Sequence, residues 1–293
     1  AAPPAPALQP ESRARDLPLP VASAAAPATP PSPTFGAPAL PPAFAPLPIA
    51  PGPAASAPPA AERIANVAAV GELPDVPALA ALRRAALAGE PVAVYEFAAR
   101  LAEGRGATRD LALAAKLFEK AAAHGFVPAQ YRIGNHYEKG LGVTRDLAIA
   151  IAWYQRAADR GNARAMHNLA VLLADGGGKP DYAAAVAWFR RAAELGVRDS
   201  QFNLAVLLAR GLGVKQDLAQ SYTWFAVAAA QGDADAGRKR DEVGARMSGT
   251  DLAAARTAAE RWRATTPDPA ANEVVPPANG WAGTQPKPAG DRV

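Results

Sequence analysis

The chain has 293 residues, with 31 Lys and Arg against 27 Asp and Glu, three His and no Cys. The missing cysteine excludes disulfide staples and thiolate metal sites, and leaves either a reducing or an oxidising compartment open. The net charge of +4 is not gathered into a basic stripe with stacking aromatics, so nucleic acid is set aside as a partner. No apolar run approaches the roughly 18 residues of a membrane span.

Residues 1–60 hold 19 of the 30 prolines and 19 alanines, and only Glu11, Arg13, Arg15 and Asp16 are charged. Such a segment has no helical apolar phase to offset an ordering cost of roughly 1–2 kcal/mol per residue. Residues 1–78 are therefore expected to be a disordered, semi-rigid Pro/Ala-rich linker. The chain opens at Ala1 without an initiator methionine or a signal sequence. It is expected to be a processed form or a fragment, with any membrane anchor upstream.

Beyond residue 79 a five-residue phrase recurs: AALAG ending at Gly89, AAAHG at Gly125, AADRG at Gly161, AAELG at Gly196 and AAAQG at Gly232. The intervals are 36, 36, 35 and 36 residues, and a period of that size marks a helical solenoid. In the repeat 126–161, Pro128 suits the first turn of a helix A, which carries Ile133, Gly134 and Tyr137 on one face. The Gly140–Gly142 turn ends it. Asp146 stands where an N-cap belongs, and helix B runs from there to Gly161, a left-handed C-cap, burying Ala150, Trp153, Tyr154 and Ala157.

The same parts recur in the other repeats. Asp110, Asp181 and Asp217 are further N-caps. Gly104 with Gly106, Gly176 with Gly178 and Gly211 with Gly213 are further turns, and Leu117-Phe118, Trp188-Phe189 and Trp224-Phe225 are further doublets. The tryptophans of these doublets are assigned to the inter-helix core. Residues 79–232 thus hold a partial first repeat and four complete ones. Residues 233–263, in segments 233–247 and 250–263, read as a capping helix pair with a polar face. Residues 264–293, with six more prolines, read as a second disordered tail.

No catalytic, cofactor or metal site is expected. GGGK at 176–179 lacks the leading glycine, the Ser or Thr and the preceding strand of a phosphate loop. His124, His136 and His167 have no cysteine or carboxylate cluster to complete a metal site, and no nucleophile motif occurs.

The recurring pattern, an L/I-G/A pair, a G-x-G-V turn, Asp, a W-F/Y doublet and AAxxG, resembles the Sel1-like repeats, relatives of the tetratricopeptide repeats. The resemblance implies an all-α, right-handed α-solenoid. By that analogy Tyr95, Tyr131, His167 and Phe202 occupy one column of the concave helix-A surface. Arg132, Asn168 and Asn203 occupy the next, and Asn135 lies one turn on. These residues would form a groove for a protein or extended peptide. The alternative for Asn168 and Asn203 is that they bond neighbouring groups and hold repeat to repeat. The tail segment 271–281, ANEVVPPANGW, has the make-up of a docking peptide, with Val274, Val275 and Trp281 as its contacts. It is expected to fold back on the solenoid, completing its cap or occupying part of the groove.

The Pro/Ala-rich linker, the stretches MHNLAVLLADGGGKPDY and DSQFNLAVLLARGLGV, the cap KRDEVGARM and the tail VVPPANGW are together similar to the periplasmic region of PodJ-like polar localisation factors of alphaproteobacteria. That resemblance implies a larger parent with a cytoplasmic coiled coil and one membrane span. It also implies a non-enzymatic interaction scaffold in the periplasm that marks a cell pole, among peptidoglycan-associated proteins. Two other readings stay open, a periplasmic Sel1-like regulator of a sensor kinase and a cell-wall or β-lactam-active enzyme. The absence of cysteine and of paired catalytic carboxylates counts against the enzyme.

Overall fold

The computed structural model describes residues 63–175, 180–278 and 281. All regular elements among them are helical. They form two compact units, one reaching to residue 179 and including the segment from 265 onward, the other spanning 180–264.

The first unit begins earlier than composition suggests. Ile64, Val67 and Leu73 are buried, the Ile64 N–H donates to the Gly89 carbonyl at 2.7 Å, and Arg83 Nε donates to the Leu73 carbonyl at 2.9 Å. The linker boundary at residue 78 is therefore corrected. Residues 63–78 cover α1 (Ala80–Leu87), supplying three large apolar side chains to the end of a repeat stack that would otherwise be open to water. Residues 1–62 of the expected linker lie outside the described residues.

Five helices of 13 residues follow: α2 (Pro91–Glu103), α3 (Leu111–Ala123), α4 (Val127–Lys139), α5 (Leu147–Asp159) and α6 (Ala163–Asp175). Pro91 and Pro128 sit in first turns, where a missing N–H removes no intrahelical bond. Asp110 accepts from Leu113 N–H at 2.9 Å and Asp146 from Ile149 N–H at 3.0 Å, each cap contributing about 1 kcal/mol. The turn between α4 and α5 needs glycine for a second reason. Gly142 has φ 72°, and a Cβ there would lie 2.1 Å from the Leu111 carbonyl oxygen of the preceding repeat. Inside the unit, Phe118 and Tyr154 are fully buried. Gly134 leaves room for the Tyr154 ring, which a Cβ would meet at 2.7 Å.

The second unit holds α7 (Tyr182–Glu194), α8 (Arg198–Arg210), α9 (Leu218–Ala230), α10 (Ala234–Gly244) and α11 (Gly249–Arg261). Asp181 and Asp217 cap α7 and α9 as expected, and Asp233 and Ser248 cap the terminal pair. Gly213 repeats the approach of Gly142, its Cβ position lying 2.3 Å from the Tyr182 carbonyl carbon. The turn at Gly176 and Gly178 lies outside the described residues. Trp224 is 1% exposed and meets Trp262 edge-on at 5.7 Å between ring centroids. Trp188 departs from its assignment to the core. It is only half-buried, and the Arg191 guanidinium lies 4.4 Å from its ring centroid. The first position of each doublet lies on the flank of helix B, so its burial depends on what lies alongside; the second position points inward and is buried in all four repeats.

Gly232→Ala should cost about 1 kcal/mol, since φ is 89° but no atom lies within 4 Å of the new Cβ. Gly142→Ala should cost about 3 kcal/mol or more, because the neighbouring backbone must also move. Equal losses in urea denaturation would show that the turn is free to shift. By the same assay, Trp224→Ala should cost about 3–5 kcal/mol. Trp188→Ala should cost about 1–2 kcal/mol, mainly the lost Arg191 contact, and a loss as large as that of Trp224→Ala would contradict its placement.

Candidate partner-binding surface

The helix-A residues expected to form a groove divide by depth. In the first unit Tyr95 of α2 and Tyr131 of α4 are half-buried. Tyr95 stands edge-on to Phe118 and Phe126, at 5.2 and 5.7 Å, and Tyr131 lies 5.9 Å from the Tyr154 ring. These contacts hold the two half-buried rings in place. Arg132 lies beside them with its guanidinium 5.2 Å from the Phe118 centroid and 3.7 Å from the Glu103 carboxylate. Asn135, one turn on, is half-buried. Glu96 pairs with Arg100 at 2.9 Å. The face thus carries two aromatic edges set in a mixed-charge rim. Burial raises the Tyr95 phenol above its ordinary pKa, and the charge of Arg132 works against it.

His167 and Asn168 of α6 are buried, so they add depth to the packing and little open surface. Asn168 Nδ2 donates to the Tyr154 hydroxyl at 3.1 Å, and that hydroxyl donates to Glu138 Oε2 at 2.6 Å. This chain ties helix B of one repeat to helix A of the next. Burial, reinforced by the Glu138 charge, holds the Tyr154 phenol well above its usual pKa. In the second unit Phe202 is 8% exposed, with its ring 5.3 Å from Phe225. Asn203 is 1% exposed, and its amide has no hydrogen-bond partner among the described residues. The helix-B position filled by Tyr154 in one repeat is Phe189 in the next, so the hydroxyl that would receive Asn203 is absent.

The tail lies elsewhere. Its described part begins with a short helix, α12 (Pro269–Asn272), capped by Asp268. It sits against the α5–α6 junction. Asn162 Nδ2 donates to the Ala271 carbonyl at 2.6 Å, Ala163 N–H donates to Asn272 Oδ1 at 2.9 Å, and Asn272 Nδ2 donates to the Gly161 carbonyl at 3.1 Å. Trp281 is 8% exposed and joins the core of the first unit. It borders a cavity of about 320 Å3 with Arg63, Glu90, Pro91 and Val92. Val274 is half-buried, whereas Val275 is exposed. The expectation of disorder from residue 264 is thereby corrected for residues 265–278 and 281. Three amide hydrogen bonds and a buried indole offset the ordering cost that composition alone leaves uncovered. Residues 282–293 lie outside the described residues. The docking position includes the α5–α6 junction, contact of α12 with α4, and the start of α2.

Asn162 and Asn272 were not among the sequence candidates. A signal for Asn162 was present: the residue after each phrase glycine is Glu90, Phe126, Asn162, Val197 and Asp233 in turn, so a single repeat offers an amide there. Among the described residues, no three His, Asp or Glu gather as metal ligands, and no helix is long and apolar enough to cross a membrane.

The Sel1 repeat family profile matches residues 91–126, 127–162, 163–197 and 198–233, each unit beginning two residues after a phrase glycine, Gly89, Gly125, Gly161 or Gly196. Residues 91–233 thus carry four Sel1 repeats, and their fold is the all-α solenoid class of such repeats. A crystal structure of a protective antigen present in uropathogenic Escherichia coli strains, described as displaying an SLR fold, is similar at 34% identity and a TM-score of 0.55, over 61% of this chain and 40% of that one. A Sel1 repeat protein from Oxalobacter formigenes is similar at 28% identity and a TM-score of 0.49, over 59% of this chain and 73% of that one. The chain thus spans well under half of the Escherichia coli structure. No protein of curated function matches the chain. Sel1 repeat proteins mediate protein–protein interaction, typically as non-enzymatic scaffolds.

His136 gives the repeat block a pH dependence. It is 2% exposed, its ring stands edge-on to Phe118 at 5.3 Å, and Nδ1–H donates to the Leu141 carbonyl at 2.7 Å. Burial, which outweighs that hydrogen bond, lowers its pKa from 6.5 to about 4. The folded state therefore holds a neutral ring that the unfolded chain protonates first. The stability from this residue is complete above about pH 6.5 and is lost as pH falls towards 4, by about 3 kcal/mol in all. Urea melts from pH 7 to 4 should show that loss, concentrated above pH 5 where most carboxylates are still ionised. His136→Gln should flatten it, and an unchanged slope in that variant would assign the dependence to another group.

Proposed function

We propose that the helix-A face of the first unit binds an extended segment of a protein partner, and that the repeat block serves as the periplasmic interaction scaffold of a bacterial polar localisation or cell-polarity factor. The observation that carries the binding reading is the pair Tyr95 and Tyr131. They stand one repeat of 36 residues apart, each half-buried and held against core aromatics. Aromatic edges held rigid in this way give contact area at low entropic cost. Arg132, Glu103 and Asn135 supply the polar groups that would set the register of a main chain laid between them. The compartment and the polar role are supported by the resemblance of the linker, repeats, cap and tail taken together. Peptidoglycan-associated proteins are the partners that reading favours.

The chain has no cysteine, so a cysteine introduced at exposed Lys116 of α3 is a clean reporter. In intact cells of the source bacterium it should react with a membrane-impermeant maleimide, and reaction only after lysis would reject the periplasmic reading. A photo-crosslinking residue at Asn135 should capture one defined protein that the same residue at Lys116 does not. Tyr131→Ala with Arg132→Glu should weaken that capture at least about tenfold while the thermal unfolding profile keeps its shape. Equal capture from both positions would remove helix A as the binding face.

A further inference from the structure

The α5–α6 junction is the one at which, among the described residues, an asparagine follows the phrase glycine. Asn162 is 3% exposed and works through both ends of its side chain. Its Oδ1 accepts the Ala165 N–H at 2.8 Å and caps α6, while its Nδ2 donates at 2.6 Å to the Ala271 carbonyl. The facing Asn272 answers with Oδ1 on Ala163 N–H and Nδ2 on the Gly161 carbonyl. The two asparagines therefore satisfy a helix N-terminus and a helix C-terminus with groups from a separate segment, and Ala271 is 1% exposed between them. The equivalents of Asn162 are Glu90, Phe126, Val197 and Asp233. Asp233 caps α10 through Ala236 N–H at 3.1 Å, but a carboxylate has no N–H to offer a peptide carbonyl.

A second contact lies further along the segment. Trp281 enters the apolar cluster of the first unit, beside Pro91 and Val92 at the junction that precedes α2. One chain segment thus places an amide clamp at one repeat junction and an aromatic anchor at another. Rigid prolines, Pro276 and Pro277, lie between them. An anchor, a register-setting clamp and a stiff connection are the parts of a peptide ligand.

We propose that these two junctions form a peptide-binding site, lined by residues other than Tyr95 and Tyr131, that recognises a Pro-Ala-Ala-Asn helical turn followed by an aromatic anchor, and that the chain's own tail, from Asp268 to Trp281, occupies it in cis. The tail is tethered through Trp262 and α11, so its local concentration at the site is high, and a free peptide of the same chemistry competes only when the clamp is weakened. The site is thereby closed to other segments in the resting chain.

The decisive variants separate the clamp from the cap. Asn162→Asp keeps the acceptor that caps α6 but removes the donor to Ala271, and Asn162→Ser keeps a capping oxygen on a side chain too short for its hydroxyl also to reach the Ala271 carbonyl. In the full chain, Asn162→Asp, Asn162→Ser and Asn272→Ala should each leave the repeats folded. Each should speed exchange of the Ala163 amide by about tenfold or more in residue-resolved hydrogen exchange. The Ala114 and Ala150 amides of α3 and α5 should be unaffected. A synthetic peptide of residues 265–281 added to the Asn272→Ala chain should restore protection at Ala163, and the same peptide carrying Asn272→Ala should not. Unchanged Ala163 exchange in all three variants would show that the tail is not clamped at Asn162. Accelerated exchange that the wild-type peptide fails to reverse would show a covalent strap with no recognition of its own, and either result overturns the proposal.

Discussion

Backbone meets backbone where Gly142 faces the Leu111 carbonyl, and the spacing of the first unit's repeats depends on it. A Cβ at that point would stand 2.1 Å from the oxygen, well inside any permitted contact. With glycine there, the turn after α4 lies directly on the start of α3, and α4 and α5 come close enough to share the side chains of the preceding pair. Gly213 makes the same approach to Tyr182 in the second unit. Removing either Cβ site is what lets rows of alanine, such as Ala114, Ala115, Ala121 and Ala122, be wholly buried. Small side chains fill an interior only when the helices are already near.

Large side chains are then confined to few places. The second residue of each doublet, Phe118, Tyr154, Phe189 and Phe225, points inward and is buried. Where it is Tyr154, the structure adjusts around the hydroxyl: Gly134 clears the ring, and Glu138 and Asn168 satisfy the oxygen. Where it is Phe189, the amide of Asn203 has no hydrogen-bond partner among the described residues. The half-buried rings of Tyr95 and Tyr131 on helix A are held by the same tight packing as the core, and this links the packing to the proposed binding face. The neutral His136 ring belongs to the same interior, since edge-on contact with Phe118 leaves no water to solvate a charge.

The ends of a repeat stack present a different problem, because there the apolar face has no next repeat to cover it. Ile64, Val67 and Leu73 close one end of the first unit. In the second unit α11 lies on α9 and brings Trp262 to Trp224. The tail meets the first of these ends through Trp281, which joins the same apolar cluster as Ile64, Val67 and Leu73. Its clamp lies along the edge where junctions expose the N–H groups of one helix and the carbonyls of another, groups that a helix cannot satisfy internally. Asn162 and Asn272 use those groups, which explains why a proline-rich segment becomes ordered at that place.

Period, cap and turn were legible in the residues alone, because each is a local rule. Asp146 caps because it is three residues before the N–H it accepts, and Gly161 is left-handed because of its own φ. The helix pairs, the four repeat limits and the inward doublet position follow from such spacings. Three outcomes did not follow. Residues 63–78 were assigned to linker because their few apolar groups show no period, and only the exposed flank of α1 and α3 gives those groups something to cover. Trp188 was assigned to the core by its phase, but burial of a flanking position depends on the neighbour beside it. The tail contacts join residues 109 and 111 positions apart, and no spacing in the sequence records that Asn272 will meet Gly161. A local rule acts through bonds a few residues long and is written in the order of the residues; a contact across a hundred residues exists only once the repeats have stacked and brought its two halves into reach.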